Sequence, residues 1–396
     1  MPFFDFALQV LAWLICVPLA LLLILFIAEV AAGLAAQTTD YGASTLPGAV
    51  IVMPAHNEAG GLGACLIALR PVVPGDVRIL VVADNCTDDT ADIARRAGAE
   101  MIERTDLAHR GKGFALAFAR DHLSASPPEC VIILDADCIP IGDSVNELRR
   151  GIARWQVPVQ STNLLRADLG AKPMVQISNF AFLVKNLIRQ RGAGRIGRVA
   201  VLGGTGMALP WDLFVEAPLA SSDLVEDLSL GIYAVRAERA PRFVEAARVE
   251  SAAAEGASAL TQRTRWEHGF VSTASKRALP LLLEGIRTGS LTRFWMGCHL
   301  CVPPLAMLCG LAGAGTVLLA GIAFLTGAYA PAVVLASLLV AVLVLILVVW
   351  LREGRPYLAG GALIRMPLYL LWKVPIYLKL FGRRESEWKR TGRPGE

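Results

Sequence analysis

Two aspartates one residue apart, Asp135 and Asp137, close an apolar run in VIILDADCIP at residues 131–140. Side chains at i and i+2 point the same way on an extended chain. Both carboxylates can therefore share one hard cation, Mg2+ or Mn2+, and leave the other coordination positions to substrate oxygens. The run before them predicts a buried parallel strand, and the C-terminal ends of such strands are where α/β sheets bind ligands. An isolated Asp-x-Asp also fits a plain turn, because turns favour Asp for backbone reasons, so the surrounding chain has to decide.

Similar strand ends recur upstream. From Ala49 short apolar runs alternate with longer helical ones, which predicts a parallel, doubly wound sheet with residues 54–58, 84–89 and 135–137 along one edge. In Gly111-Lys112-Gly113 the glycines allow close backbone approach, and Lys112 offers a cation to phosphate at a helix start. The Walker A pattern GxxxxGK[ST] is absent. RVAVLGGTGMALP reads as a strand running into a glycine-rich turn. There Gly203, Gly204 and Gly206 could let backbone approach a ligand, or could simply make a tight turn. SDLVEDLSL puts Glu226 and Asp227 at a helix start, with Ser221, Ser222 and Asp223 as candidate caps. Farther on, Gln262, Arg265 and Trp266 combine a planar fork for a diphosphate with a flat face for a sugar ring. Taken alone, that last pattern equally fits a solvated helix face with one buried Trp.

Together, IVMPAHNE, VVADNCTDDT, HRGKGFAL, LDADC, VEDLSLG and QRTRW stand in this order over residues 51–266. The set resembles the membrane-integrated glycosyltransferases of family 2, the group of cellulose, hyaluronan and poly-N-acetylglucosamine synthases. The resemblance implies an α/β GT-A catalytic domain, Rossmann-like and nucleotide-sugar-binding, combined with transmembrane α-helices. It also implies a nucleotide-diphosphate sugar donor, usually a UDP-sugar, and an inverting transfer that gives a β-linkage. Carried onto this chain, donor contacts fall to Pro54, Glu58, Asp84, Lys112, Asp135 and Gly204, and metal ligation to Asp135 and Asp137. Asp227 becomes the general base with Glu226 beside it, and Gln262, Arg265 and Trp266 hold acceptor and diphosphate. The chemistry of the residues suits these roles. A carboxylate at Asp84 can accept from the imide N–H of uracil, and one base suffices for a single displacement with inversion. The chain departs from the family pattern at His56, where Tyr is usual, and at Val225, where the acidic motif usually has Thr.

With 55% apolar residues among 396 and a mean hydropathy of +0.52, the chain is too apolar for an ordinary soluble protein, and membrane spans must account for the excess. A net charge of +4 with both signs interspersed gives nucleic-acid binding little support. The eight cysteines suggest no disulfide framework, and Cys298 and Cys301 around His299 read as small hydrophobes rather than metal ligands. Residues 1–36 predict a first transmembrane helix. A signal peptide is the other reading, but the apolar run exceeds an h-region and lacks a basic start. A linker at 37–48, the catalytic domain at 49–280 and an interface helix at 281–299 with Arg287 and Arg293 near headgroups then follow. After these come a transmembrane hairpin at 300–351, an amphipathic helix at 356–381 and a basic tail at 382–396. The helix at 356–381 carries Arg365, Lys373 and Lys379 as a basic stripe and lies on the membrane, a fourth span being the alternative. The positive-inside rule puts catalytic domain and tail in the cytoplasm of a multi-pass inner-membrane protein. The expected reaction adds sugars to a growing polysaccharide, with single addition to a lipid or lipid-linked acceptor as the alternative. A catalytically silent transporter or scaffold would not need carboxylates at Asp135, Asp137 and Asp227 together.

Overall fold

A computed structural model describes residues 2–38, 42, 45–223, 225–252 and 256–382. Its α/β half is built, among the described residues, on eight strands: β1 (Ala49–Ala55), β2 (Arg78–Asp84), β3 (Glu100–Arg104), β4 (Cys130–Ile133), β5 (Cys138–Ile141), β6 (Val159–Leu165), β7 (Met207–Pro210) and β8 (Arg242–Ser251), in the order β3-β2-β1-β4-β7-β6-β8-β5. Side chains alternate across a strand, so an apolar run with no polar face must be covered on both sides. Ile51 and Met53 of β1 join one core with Leu62, Leu66 and Leu69 of helix Leu62–Leu69. Val50 and Val52 join the opposite core with Leu116 and Leu123 of helix Lys112–Leu123 and Leu230 of helix Glu226–Arg236.

The first four strands run parallel, but the sheet as a whole is mixed. β7 is antiparallel to β4 and β6, and β5 is antiparallel to β8. Two expectations are corrected here. The run 131–140 is not one strand, because β4 stops at Ile133 and Asp135-Ala136-Asp137 forms a turn closed by the Cys138 N–H donating to the Asp135 carbonyl at 3.0 Å. The chain then restarts as β5 at the far edge of the sheet, a place that tolerates Pro140, which has no N–H to donate. The strand near the glycine turn follows it rather than precedes it. Ile133 pairs with Met207, so Gly203–Gly206 enters β7 at the edge where β4 ends.

Among the described residues, three helical stretches are long and apolar enough to cross a membrane: Asp5–Gly33, Leu305–Thr326 and Ala330–Gly354. The first packs against the other two and against residues 184–197. The latter region belongs to a helical run of Pro173–Leu183, a π-helical turn Val184–Arg189 and Gln190–Gly197. Glu29 is fully buried, with Oε2 accepting from Arg189 Nε at 2.7 Å and Oε1 lying 2.7 Å from His299 Nδ1. The residues at 281–299 are the meeting ends of two helices, Gly256–Thr288 and Leu291–Cys301, folded back on each other. Arg293 donates to the Arg236 carbonyl there, at 3.1 Å.

The last helix, Met366–Gly382, follows a turn at 355–359 and a short helix Gly360–Leu363. It corrects the basic-stripe expectation. Arg365 is exposed, but Lys373 is buried at 1% exposure and paired with Glu267. Lys379 lies outside the residues whose side chains are described, and 383–396 lie outside the described residues.

Candidate active site

The ends of β1 and β2 interlock. Asn57 and Asn85 both take left-handed backbone (φ 54° and 52°), a conformation asparagine tolerates better than most residues. Asn57 Oδ1 accepts from the Thr87 N–H at 2.7 Å, and the Glu58 N–H donates to Thr90 Oγ1 at 2.8 Å. His56 lies 2.7 Å through Nδ1 from the Asp84 carbonyl, which gives this imidazole a structural anchor. Asp84 is itself held. Its Oδ1 accepts from Arg104 Nη1 at 2.7 Å and from Asn85 Nδ2 at 3.0 Å, so any base recognition by Asp84 works from a carboxylate already fixed by Arg104.

Across the same edge, Lys112 begins its helix and sends Nζ to two partners, an ion pair with Asp135 Oδ1 and a 2.7 Å hydrogen bond to the Gly204 carbonyl. Burial acts to lower the Lys112 value, but the negative charges of Asp135, Glu226 and Asp227 outweigh it and hold the ammonium well above the ordinary lysine range. Asp135, Asp137 and Cys138 each bring one ligand atom within 4.8 Å of the others. Burial pushes the Cys138 thiol far up, so the sulfur stays protonated and the available donors are two carboxylates, the set a hard dication prefers. The site therefore fits Mg2+ or Mn2+ even though the aspartates sit on a turn instead of an extended strand.

Gly204 adopts φ +80°, and a Cβ placed there would stand 3.2 Å from Asp227 Oδ2 and 3.6 Å from Lys112 Nζ. The glycine is thus where Lys112 and the acidic pair converge. Glu226 and Asp227 open helix Glu226–Arg236 behind Val225, and the Leu228 N–H donates to Asp227 Oδ1 at 2.8 Å. None of the candidate caps makes the capping bond. Asp223 instead accepts from the Ser229 hydroxyl at 3.0 Å. Burial raises both members of the pair. Glu226 is raised further by the charge of Asp227, while the Leu228 N–H, Lys112 and Lys185 pull Asp227 back.

Arg265 and Trp266 are half-buried on helix Gly256–Thr288, and Trp266 packs its ring 5.8 Å from that of Phe182. The side chain of Gln262 lies outside the described residues. Pro54, next to last in β1, is half-buried and paired in register with Val82. Of the residues singled out from sequence, Lys112, Asp135, Asp137, Gly204, Glu226 and Asp227 form one cluster, with Asp84 and residues 54–58 in the neighbouring corner.

A family model described as glycosyltransferase-like family 2 matches residues 47–269, more than half of the chain. The chain belongs to glycosyltransferase family 2. An uncharacterized glycosyltransferase of Mycobacterium tuberculosis is 37% identical over 87 residues, and the low-salt glycan biosynthesis hexosyltransferase Agl6 of Haloferax volcanii is 34% identical over 91. Each match takes in 22% of this chain, but only 35% and 20% of those proteins. The mannosyltransferase PcManGT of Pyrobaculum calidifontis, solved with GDP-Man and Mn2+, is 17% identical and superposes with a TM-score of 0.55 over 96% of this chain and 99% of its own. That likeness gives this glycosyltransferase the GT-A-like, Rossmann-type fold the motifs implied.

Three contributors to the glycosyltransferase site escape a reading by motif. Gln160, buried in β6, takes the Gly203 N–H on Oε1 at 2.8 Å and donates Nε2 to the carbonyls of Thr205 and Gly206 at 3.0 and 3.3 Å, clamping the glycine turn. Thr205 Oγ1 accepts from the Asp135 N–H at 3.0 Å. Lys185 shows on the surface of the π-helical turn within electrostatic reach of Asp227 and Glu267. The available signal was the polar run Gln160-Ser161-Thr162-Asn163, which is unusual in a strand buried along its whole length.

Proposed function

We propose that the protein transfers a sugar from a nucleotide-diphosphate sugar, with UDP the expected nucleotide, to a growing polysaccharide, with inversion to a β-linkage. The observation that carries this reading is the convergence of Lys112, the Asp135–Asp137 turn, Gly204 and Asp227 on one sheet edge. In this reading the 54–58 and 84–85 corner receives the nucleoside, and Lys112 offers a buried cation to the diphosphate. Asp135 and Asp137 would hold Mg2+ or Mn2+, which when bound supplies positive charge to the leaving nucleoside diphosphate. Asp227 takes the proton from the acceptor hydroxyl as the sugar–phosphate bond opens, and burial makes it a stronger base than an exposed carboxylate. The three apolar helices would anchor the enzyme in the inner membrane with the catalytic domain in the cytoplasm, within the membrane-integrated synthase group.

Addition to a lipid or lipid-linked acceptor is the second reading. It is favoured by the last helix, which meets the helix of Trp266 while turning Leu368, Leu371 and Val374 outward. A donor screen on the purified protein in lipid nanodiscs tests both. One UDP-sugar should release nucleotide, and both excess EDTA and Asp137→Ala should abolish release. GDP-sugars belong in the screen because the mannosyltransferase of like fold was solved with GDP-Man. Undiminished turnover in EDTA would sink the metal assignment. With a radiolabelled donor, a product ladder supports polysaccharide synthesis, whereas a single organic-soluble species supports the lipid acceptor.

A further inference from the structure

Helix Met366–Gly382 is amphipathic in the reverse sense to a water-soluble surface helix. Ile364 just before it, and Leu368, Leu371 and Val374 along it, are exposed. Tyr369 and Lys373, one turn apart, are buried, and Tyr377 one turn farther also faces Glu267. Lys373 forms its ion pair with Glu267 and lies 5.6 Å from the centre of the Tyr369 ring, a cation–π placement. Glu267 directly follows Trp266, whose ring rests on Phe182 immediately ahead of the π-helical turn that carries Lys185. Lys185 in turn feels both Glu267 and Asp227. An ion pair, a chain neighbour and a ring contact therefore link the last helix through Glu267 to Trp266 and Phe182, with Lys185 within electrostatic reach of both Glu267 and Asp227.

Burying an ammonium costs several kcal/mol unless it is paired, so the inward placement of Lys373 depends on its ion pair with Glu267. A buried ion pair of this kind fixes the register of two elements better than it stabilises them. We propose that Lys373 is a positioning residue for the acceptor: through Glu267 it sets Trp266 against Phe182, so that an acceptor hydroxyl stands in line with Asp227. The inference rests on the glycosyl-transfer reading, but it concerns the acceptor half only.

The experiment compares nucleotide release without acceptor, where water takes its place, with transfer to acceptor, in the full-length protein in nanodiscs. Lys373→Met, which keeps the apolar stem and removes the charge, should leave donor KM and donor hydrolysis within about twofold. It should also raise acceptor KM or lower transfer by about tenfold to a hundredfold, the scale of loss that follows a small misplacement of reacting groups. Glu267→Gln should shift the same split in the same direction, and the reversed pair Lys373→Glu with Glu267→Lys should recover most of the transfer. If Lys373→Met does not fold, the Glu267→Gln and reversed-pair proteins carry the comparison. Hydrolysis and transfer falling together, or a reversed pair no better than the single variants, would show that the pair only holds the fold. Unchanged acceptor kinetics in Lys373→Met would overturn the inference alone, whereas no nucleotide release by the unaltered protein with any donor would remove the reading beneath it.

Discussion

Asp227 differs from an ordinary surface carboxylate through its surroundings alone. It begins a helix, where the N-terminal dipole favours its charge, yet burial raises its pKa and the Leu228 N–H, Lys112 and Lys185 only partly offset that rise. A base works in its ionised form, so turnover should fall as pH drops through the raised value. The acid limb of kcat/KM should then lie above the usual aspartate range near ~4. Asp227→Asn should keep donor binding and lose turnover by roughly 10² to 10⁴. Its residual rate should no longer follow that acid limb. Donor affinity measured by calorimetry beside a pH–rate profile checks both statements, and loss of donor binding in Asp227→Asn would reassign the residue to structure. Lys112 answers a different demand. One ammonium tied to Asp135 and the Gly204 carbonyl fixes the glycine turn relative to the Asp135–Asp137 turn.

At the scale of elements, the site depends on turns whose geometry is set by neighbours distant in sequence. Gly206 has φ +61°, and a Cβ there would fall 2.1 Å from Ser161 Oγ, so the glycine turn lies hard against β6 and is held by Gln160. Gln160→Leu keeps the volume but removes a partner of the Gly203 N–H and of the Ser161, Thr205 and Gly206 carbonyls, of which the Gly206 carbonyl still accepts from the Ser161 N–H. A buried group left with no other partner costs about 1–3 kcal/mol. The variant should unfold at a lower temperature and release nucleotide more slowly, while Gln160→Glu should recover only the bond from Gly203. Thermal unfolding followed alongside the donor assay reads both, and a variant with unchanged turnover would mean the clamp is dispensable. These dependencies also explain what the sequence could reveal. The apolar runs of β1, β2 and β4 announce buried strands because both faces need cover, and the polar residues that end them mark the binding edge. The split of 131–140 was hidden, because Cys138–Ile141 is as apolar as the strand before it and only its pairing with β8 shows that it belongs elsewhere. Lys373 misled for a related reason. A basic residue at helical spacing reads as surface until its partner, Glu267, more than a hundred positions earlier in the chain, is brought beside it.

For the whole molecule, the first helix is bound to the catalytic half by more than apolar contact. Burial, with Arg189 close by, keeps His299 below its ordinary range and hence neutral, so one carboxylate at Glu29 faces one guanidinium at Arg189 and the charges balance inside the protein. Gly192 lies so close to the first helix that a Cβ would stand 1.9 Å from the Glu29 carbonyl. The domain is thereby seated against the end of the first helix, which in turn packs against Leu305–Thr326 and Ala330–Gly354, and apolar residues of these helices remain exposed on their outer faces. In the orientation proposed above, the sheet edge faces the cytoplasm. With the three candidate spans found among the described residues all crossing, that orientation sets the side of each loop between them. The turn at 327–329, between Leu305–Thr326 and Ala330–Gly354, must lie on the opposite face from exposed Asp121. With the eight native cysteines replaced, Ala328→Cys should react with a membrane-impermeant maleimide in intact cells, and Asp121→Cys should react only after permeabilisation. If Asp121→Cys is labelled from outside while Ala328→Cys is protected, the orientation is reversed. If both are protected, the hairpin does not cross, and the enzyme is held in the bilayer by the first helix and by surfaces that only dip into it.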